Sequence, residues 1–569
     1  MRYLLRCFAV FAALAIPASG AAALAPGPSE SSAFMVAAAN PHAVEAGVEI
    51  LEAGGSAVDA AVAAQAVLGL VEPQSSGIGG GAFMLYFDAA SRNVESFEGR
   101  ETAPAAATPG LFLDAAGERM KFWDAVVGGR SVGVPGVLRM LELAHREHGK
   151  LPWARLFEPA IRLAEQGFAV SPRLSEMIAK DKHLKRYPAT HAYFHTAAGQ
   201  PLPAGHVLKN PGYAATLRAV AKGGADAFYK GDIARDIVAA VRGAVDNPGL
   251  LGEADLAAYE AKRRPPVCVA YRDNRVCGMG PPSSGGLTVG MILGILEHYD
   301  MGELAPGSVE AEHLFIEAAR LAYADRALYM ADSDFVRVPA GGLLDPGYLE
   351  QRGRLIGGDK SMGKAAAGTP PQKKTERRAP DDALEIPSTS HFSIVDADGN
   401  AVSMTTSVEN AFGSRMMVRG FLLNNQLTDF SFQPEKDGRP VANRVEPGKR
   451  PRSSMAPTIV MGPDGNLRLV TGSPGGSRII NYSARSVMAV LDWNMDPQAA
   501  VSRPHVISRN GKVDLEEGTQ AEGLKAALEE RGHEISVRGL TSGLHAILVE
   551  DGTLYGGADP RREGIAAGR

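Results

Sequence analysis

The chain has 569 residues, enough for roughly two to four domains of ordinary size. Hydrophobic residues make up 45% of it and charged residues 22%, as in a typical globular enzyme, and the 65 glycines follow no fixed period, which excludes a collagen-like repeat. The formal net charge is -5, so the chain lacks the basic balance of a nucleic-acid-binding protein, and that class is excluded.

The N-terminus has the pattern of a secretory signal peptide. Arg2 and Arg6 accompany an apolar run that ends in small residues. The alternative is a membrane anchor, but Pro17 and Gly20 interrupt the run, and it is shorter than the ~20 residues that span a bilayer. We therefore expect residues 1–25 to be removed, no later segment to span a membrane, and the mature protein to be periplasmic or secreted.

The first mature elements are two helices and a strand. Asn40 is a good N-cap, the apolar pattern that follows stops at Gly54, and a second, small-residue helix is predicted over 57–71. The glycine-rich stretch SGIGGGAFMLYFD at 76–88 predicts a loop that leads into an apolar strand. Because the loop lacks the G-x-x-x-x-G-K-[ST] spacing and precedes a strand rather than a helix, it does not predict a nucleotide site.

Further along, residues 150–262 and 310–330 are predicted to be mainly helical. Between them, PVCVAYRDNRVCGMG predicts two short strands around a turn, with Cys268 opposite Cys277. An oxidising compartment permits a disulfide there, but two buried free thiols fit the pattern as well. Two cysteines alone do not predict a metal site.

The character of the chain changes at residues 357–388, which are polar and rich in Gly and Pro, as in a mobile tail or linker. An apolar alternation then resumes abruptly, and it predicts a hairpin whose first strand begins at Thr389. A second strand pair is predicted over 455–472, split by a Gly/Asp turn. The sequence thus indicates a helix-rich first part and a strand-led second part.

Thr389 has the position expected of an N-terminal nucleophile. A Thr hydroxyl needs a base, and the α-amine that appears when the Ser388–Thr389 peptide is cut can serve as one. The same hydroxyl can make the cut by attacking the preceding carbonyl. From position alone, however, Thr389 also fits an ordinary residue at a strand edge.

Several separated motifs decide the family to which the chain is similar. They are, in chain order, GIGGGAFML, FEGRETAPA, PPSSGG, AYADR, TSHFSIVDADGNAVSMTTS, FLLNNQLTDFS, KRPRSSMAPTIV and LVTGSPGGSRII. In this order they resemble the γ-glutamyltransferases, which are N-terminal-nucleophile hydrolases. The resemblance extends from about residue 33 to the C-terminus.

The resemblance implies an α+β fold, a four-layer αββα sandwich built from both pieces of a self-cleaved precursor. The pieces, 26–388 and 389–569, are expected to stay associated. The implied reaction cleaves the γ-glutamyl amide bond of glutathione or a similar small molecule through a γ-glutamyl-enzyme on Thr389. Water or an amino acceptor then releases the acyl group, and no metal or cofactor is implied.

The resemblance also assigns roles to individual residues. The implied site consists of the nucleophile Thr389 with the nearby hydroxyl of Ser407, the oxyanion pair Gly475 and Gly476, the α-carboxylate ligands Arg100, Ser453 and Ser454, and the α-ammonium ligands Asp429 and Gln426. The residue types suit these ligands, since a guanidinium binds a carboxylate and backbone N–H groups bind an oxyanion. Taken singly, each residue also fits a structural role, such as a surface ion pair for Arg100 or a helix cap for Asp429.

Two features depart from the family. Glu409 stands where well-known members carry Asn, so it strengthens recognition of the α-amine, rearranges the pocket, or repels a substrate that is anionic on the side it contacts. The segment between Asp429 and Ser453 is short and has no Tyr to serve as a gate, so we expect a more open site. Two alternatives remain: an amidase like the related glutaryl-cephalosporin acylases, or a non-catalytic homologue that binds amino acids.

Overall fold

The computed structural model describes residues 27–371, 378–383 and 388–569. The predicted signal peptide, residues 1–25, lies outside the described residues. Within the described part, no helix is long and apolar enough to cross a membrane.

The strands, numbered in chain order, have the following bounds: β1 Ser29–Ser31, β2 Met35–Ala38, β3 Gly81–Asp88, β4 Asn93–Gly99, β5 Phe168–Ala169, β6 Val207–Leu208, β7 Lys262–Arg264, β8 Val267–Tyr271, β9 Asn274–Gly278, β10 Ser390–Val395, β11 Ala401–Ser407, β12 Met417–Val418, β13 Phe421–Leu422, β14 Glu435–Lys436, β15 Arg439–Pro440, β16 Thr458–Met461, β17 Leu467–Gly472, β18 Val506–Ser508, β19 Val513–Glu516, β20 Ile535–Arg538, β21 His545–Glu550, β22 Thr553–Ala558 and β23 Ile565–Gly568.

The helices have these bounds: α1 Pro41–Glu52, α2 Ala57–Val71, α3 Phe122–Val126, α4 Val137–His148, α5 Glu158–Gln166, α6 Pro172–Lys180, α7 Pro188–Phe194, α8 Pro211–Gly223, α9 Asp226–Tyr229, α10 Asp232–Arg242, α11 Glu253–Ala257, α12 Gly285–Leu296, α13 Val309–Tyr329, α14 Ala340–Leu343, α15 Pro346–Gly353, α16 Ile479–Leu491, α17 Pro497–Ser502 and α18 Lys525–Glu530.

Two seven-stranded sheets form the centre of the molecule. One has the order β1-β22-β21-β17-β16-β9-β8, the other β23-β2-β10-β11-β3-β4-β7, and every pair of neighbours in both is antiparallel. Side chains of the two inner faces, such as Leu85 and Val470, share one buried cluster. Helices α1, α2 and α4 cover the outer face of the second sheet, and α12, α13 and α16 cover the first. This arrangement confirms the predicted four-layer αββα fold.

The capping residues near the N-terminus act as predicted. The Asn40 side chain accepts from the His42 N–H at the start of α1, and Ser56 and Asp59 form a capping box at the start of α2. Every residue of α2 is buried, because its run of alanines allows close packing on the second sheet. The helices predicted over 150–262 and 310–330 are present as α5–α11 and α13.

The two mature cysteines are bonded to each other. Cys268 on β8 lies directly opposite Cys277 on β9, and the two sulfurs form a disulfide. The pairing predicted from the RDN turn is thus confirmed, and the alternative of free thiols is excluded.

The described parts of the polar segment 357–388 contain neither helix nor strand, and they bond to the body of the protein. The main-chain oxygens of Gly363 and Gly368 accept from Arg320 and Tyr329 on α13. Further along, Asp381 forms an ion pair of 3.0 Å with Arg452. The last described residues before the predicted cut are therefore anchored by specific contacts.

The hairpin that follows begins one residue later than predicted. Ladder pairing of β10 with β11 starts at Ser390 opposite Thr406, so Thr389 stands just before the strand. Its main-chain oxygen accepts from the Arg562 guanidinium, a side chain that no local pattern reveals.

Candidate active site

The predicted site residues surround one small cavity of about 20 Å³, close to the space that a single water needs. It is lined by Arg100, Ser388, Thr389, Ser407, Glu409, Gln426, Asp429, Ser453, Ser454, Met455, Gly476 and Ile479. Of the residues named from the sequence, Gly475 alone is not part of this lining, and it is bonded covalently to Gly476. Residues from both predicted pieces therefore converge, with Ser388 filling part of the space.

Two hydroxyl groups point at the carbonyl that precedes Thr389. Thr389 Oγ1 donates a short hydrogen bond to the Ser388 oxygen, and Ser407 Oγ donates to the same oxygen at 3.0 Å. The two hydroxyl oxygens are 3.3 Å apart. Ser407 Oγ also accepts from the Glu409 N–H at 2.8 Å, which fixes its position. A nucleophile beside a polarised carbonyl is the arrangement that acyl transfer to Thr389 requires.

Arg100 is fully buried, so the alternative of a surface ion pair is excluded. Its Nε donates to the Pro451 oxygen at 3.0 Å, and Nη2 donates to Asp429 Oδ2 at 2.6 Å and to the Arg452 oxygen at 2.8 Å. Nη1 has no hydrogen-bond partner, which leaves one donor for an anion in the cavity. Gln426 Nε2 donates to the same Asp429 oxygen at 2.7 Å.

Two upstream motifs support the serine pair of the cavity. Arg326, from the AYADR motif on α13, donates to Ser454 Oγ at 2.6 Å and to Ser284 Oγ at 2.8 Å. Ser284, from PPSSGG, donates in turn to the Ser453 oxygen through its N–H at 2.8 Å. The sequence did not identify Arg326 as a site residue, although the motif that contains it was part of the resemblance.

Glu409 occupies a left-handed backbone conformation, with φ of 77°, and its carboxylate is buried at the cavity. Oε2 accepts from Asn425, whereas Oε1 has no hydrogen-bond partner. Burial, reinforced by the nearby charge of Asp429, raises the pKa of Glu409 well above its usual range. Burial in the empty site thus favours the neutral form of the Glu409 carboxyl.

The glycine pair adopts backbone conformations that other residues rarely adopt, with φ of 140° at Gly475 and 60° at Gly476. A Cβ on Gly475 would lie 2.7 Å from the Tyr482 ring. Among the described residues, no acceptor is found for the N–H of either glycine. Two unpaired N–H donors beside a nucleophile suit the binding of an oxyanion.

Neither aromatic residue of the short segment after Asp429 lines the cavity. Phe430 is buried, and Phe432 stacks on Phe112 with ring centroids 4.5 Å apart. The hairpin β14–β15 that follows is mostly exposed. Within the described residues, the segment 430–452 thus contributes no side chain to the cavity wall.

Glu101, which the sequence did not single out, is a buried acid beside Arg100. Neither of its carboxylate oxygens has a hydrogen-bond partner, and Oε2 lies 3.7 Å from Arg100 Nη1. Burial raises the pKa of Glu101 from 4.5 to about 8, although Arg100 opposes the shift. At a pH between 4.5 and about 8, folding therefore takes up a proton at Glu101. The stability that the protonated carboxyl contributes is lost as the pH rises through this range.

We expect Glu101→Gln to remove this pH dependence, because the amide does not titrate. The melting temperature of the variant minus that of the wild type should increase by about 1–2 °C for each pH unit from pH 5 to 8. Thermal unfolding at pH 5, 6.5 and 8 measures the difference. A difference that stays constant over this range would contradict the protonated state of Glu101.

Comparisons with known proteins show which family the chain is similar to. The family model "Gamma-glutamyltranspeptidase" matches residues 43–569. The chain is 38% identical over 547 residues to a glutathione hydrolase proenzyme of Bacillus subtilis (strain 168), covering 94% of this chain and 91% of the relative. It is 37% identical over 551 residues to the Acylase ACY 1 proenzyme of Pseudomonas sp. (strain SE83), covering 94% of each.

Among solved structures, the crystal structure of cephalosporin acylase from Bacillus halodurans superposes on this one with a TM-score of 0.82. The two sequences are 27% identical, and the match covers 98% of this chain and 99% of the other. The similarity therefore extends through both layers of helices and both sheets.

Proposed function

Since the chain belongs to the γ-glutamyltranspeptidase family, we propose that it works as a glutathione hydrolase and γ-glutamyltransferase with Thr389 as its nucleophile. It is an enzyme, because that family is an enzyme family, and this removes the non-catalytic homologue from consideration. The observation that carries the assignment of Thr389 is the contact of its hydroxyl with the carbonyl of Ser388, inside a cavity lined by carboxylate- and ammonium-binding groups.

The first reaction is self-cleavage. Thr389 Oγ1 attacks the Ser388 carbonyl carbon, the C–N bond breaks, and the released electron pair takes a proton to form the α-amine of Thr389. Water then hydrolyses the resulting ester and leaves a carboxylate on Ser388. The hydrogen bond from Ser407 to the Ser388 oxygen supports this step, since it stabilises the charge that develops there.

In each turnover the α-amine of Thr389 takes the proton of Oγ1 as the oxygen attacks the γ-carbonyl of the substrate. The N–H groups of Gly475 and Gly476 stabilise the tetrahedral oxyanion. The ammonium then gives its proton to the leaving amine, and a γ-glutamyl ester remains on Thr389. Water or an acceptor amine attacks this ester and regenerates the enzyme.

The substrate's α-amino acid group supplies the selectivity. Its carboxylate accepts from Arg100 Nη1 and from Ser453 and Ser454, and its ammonium donates to Asp429 with support from Gln426. In the empty site Arg100 and Asp429 form an ion pair, so each charge is compensated before substrate binds. A substrate ammonium beside Glu409 favours the charged form of that carboxyl, which strengthens the ammonium site.

The two fragments stay together because their strands are interleaved. In the second sheet, β2 from the large fragment lies between β23 and β10 of the small fragment, and β11 pairs with β3 of the large one. The first sheet pairs β16 of the small fragment with β9 of the large. Separation would break both ladders and expose the core between them.

Export to the periplasm or the medium is part of the proposal. The pattern of residues 1–25 supports it, and the Cys268–Cys277 disulfide is a bond that forms and persists in oxidising compartments.

Asp429→Asn tests the proposed substrate. Removing the charge that binds the α-ammonium should lower kcat/KM for a γ-glutamyl anilide about 10–100-fold, while a glutaryl anilide, which has no α-amine, should be cleaved at least as well as before. Initial rates with the two substrates measure the effect, and Asp382→Asn, at an exposed aspartate, is the matched control. Equal losses on both substrates would contradict the ammonium role.

The second candidate function is a glutaryl-amide acylase, which the similarity to the two acylases favours. Assaying the wild-type enzyme with both anilides at equal concentration decides between the two candidate functions. A higher kcat/KM for the glutaryl compound would replace the γ-glutamyl assignment with the acylase. The opposite preference is expected, since Asp429 is retained.

A further inference from the structure

A buried guanidinium lies directly behind the proposed nucleophile. Arg562 Nη1 donates to the main-chain oxygen of Thr389 at 2.8 Å, and the residue is only 8% exposed. Its Nε and Nη2 have no hydrogen-bond partner, and among the described residues no carboxylate oxygen pairs with it. Asp559, three residues earlier, pairs with Arg561 instead. A buried charge whose donors lack hydrogen-bond partners is costly, and such groups concentrate at functional sites.

The position of this side chain is tightly fixed. A Cβ on Gly543 would lie 2.7 Å from Arg562 Cδ and 2.7 Å from Pro474 Cγ, so only glycine leaves room for the arginine stem beside Pro474. Pro474 immediately precedes the glycine pair proposed to bind the oxyanion. Arg562 therefore contacts the main chain of the nucleophile and packs next to the oxyanion loop.

Thr389 depends on this contact because the sheet does not hold it. The β10–β11 ladder begins at Ser390, and the pairing of β10 with β2 begins only at Phe392. Once the Ser388–Thr389 bond is cut, Thr389 becomes a chain end, and chain ends fray unless they are tied down. The bond from Arg562 ties down the residue whose hydroxyl and amine must both be aligned.

The charge of Arg562 acts on the same amine. The N and O atoms of one residue are separated only by Cα and the carbonyl carbon, so a donor to the Thr389 oxygen lies within about 6 Å of its nitrogen. A positive charge at that range disfavours the ammonium form of the amine. We propose that Arg562 is a positioning residue that fixes the Thr389 main chain and whose charge keeps the new α-amine in its neutral, proton-accepting form.

Arg562 stays charged at neutral pH, since burial and the neighbouring Arg173 lower its pKa only to about 9. The other titratable groups that interact electrostatically with it are Glu72, Tyr482, His545 and Asp559, and Glu563 is its neighbour in the chain. Across the cavity, the groups that face the Thr389 amine are Arg100, Glu409 and Asp429.

Several of these neighbours are shifted toward their neutral forms or are paired with another arginine. Burial raises the pKa of Glu72 and of Glu409, which favours their neutral forms, and it lowers the pKa of His545 to about 3. Asp429 is paired with Arg100, as Asp559 is with Arg561. Arg562 is the charged side chain that bonds directly to the Thr389 main chain, so its charge lies close to the new amine.

The inference rests on the proposed nucleophile but not on the choice of substrate, so it is tested with whichever anilide the wild-type enzyme cleaves. A wild type that cleaves neither would refute the proposed function before any variant is compared. The variants are Arg562→Gln, which removes the charge and keeps an N–H donor, and Arg562→Lys, which keeps the charge. Each is first checked for self-cleavage by intact mass and for folding by its melting temperature.

The pH profile of kcat/KM gives the decisive readout. Arg562→Gln should move the acidic limb to higher pH by about one unit, while Arg562→Lys leaves it within a few tenths of a unit of wild type. A merely structural role predicts a lower melting temperature in both variants with an unmoved limb, and that result would overturn the proposal. If the Gln chain stays uncut, the contrast with the Lys chain decides: a Lys chain that is cut and keeps the wild-type limb shows that the charge is required, whereas a Lys chain that also stays uncut, or whose limb is shifted upward, overturns the proposal.

Discussion

Thr389→Ala is expected to remain one uncut polypeptide and to lose at least about a thousandfold in kcat/KM toward a γ-glutamyl anilide. The substitution removes the oxygen that attacks both the Ser388 carbonyl and the substrate. It also keeps the α-amine locked in a peptide bond, so neither nucleophile nor base forms. Denaturing electrophoresis and initial rates on the purified protein measure the two losses together.

Thr389→Ser is the matched control, since it keeps a hydroxyl at the same position. We expect it to be cut and to retain measurable activity, lowered because the loss of the Thr methyl frees rotation of the hydroxyl. An Ala variant that is cut between residues 388 and 389, or that keeps wild-type activity, would show that another group is the nucleophile.

The second large effect is expected for Arg100→Lys, which should lower kcat/KM for the γ-glutamyl anilide about 100-fold, mainly through a higher KM. A lysine ammonium cannot bond to Pro451, Arg452 and Asp429 and still present a donor to the substrate carboxylate, as the guanidinium does. Self-cleavage should persist, because Arg100 does not contact the Ser388–Thr389 bond. Steady-state kinetics on the cut variant give KM and kcat separately.

Arg119→Lys is the control for this substitution, because Arg119 is a partly exposed arginine whose ion pair with Asp382 lies at the surface. It should change KM by less than about twofold. An Arg100→Lys enzyme with an unchanged KM would remove Arg100 from the carboxylate site, whereas loss of self-cleavage would indicate a structural fault.

The elements whose cause is local could be predicted from the sequence. The cap at Asn40, the breaks at Gly54 and Gly55, and the turn between Cys268 and Cys277 are each determined by residues within a few positions of one another. The four-layer fold and the residues around the cavity followed instead from motifs spread along the chain and their resemblance to one family. That resemblance brought together Arg100 and Ser454, which are far apart in sequence.

The groups that were missed act across long sequence separations and belong to no local pattern. Arg562 reaches the nucleophile from near the C-terminus, and Gly543 only makes room for it. Glu101 was not singled out from the sequence, since its raised pKa comes from burial that only the assembled fold creates. The one-residue shift of β10 has the same origin, because a side chain rather than a strand takes the oxygen of Thr389.

The position of the self-cleavage tests the central claim most directly. Intact mass and N-terminal sequencing of the purified wild-type protein should show two fragments, the smaller covering residues 389–569 and beginning with Thr389. A chain that is active while still intact, or a small fragment that begins at any other residue, would contradict the account.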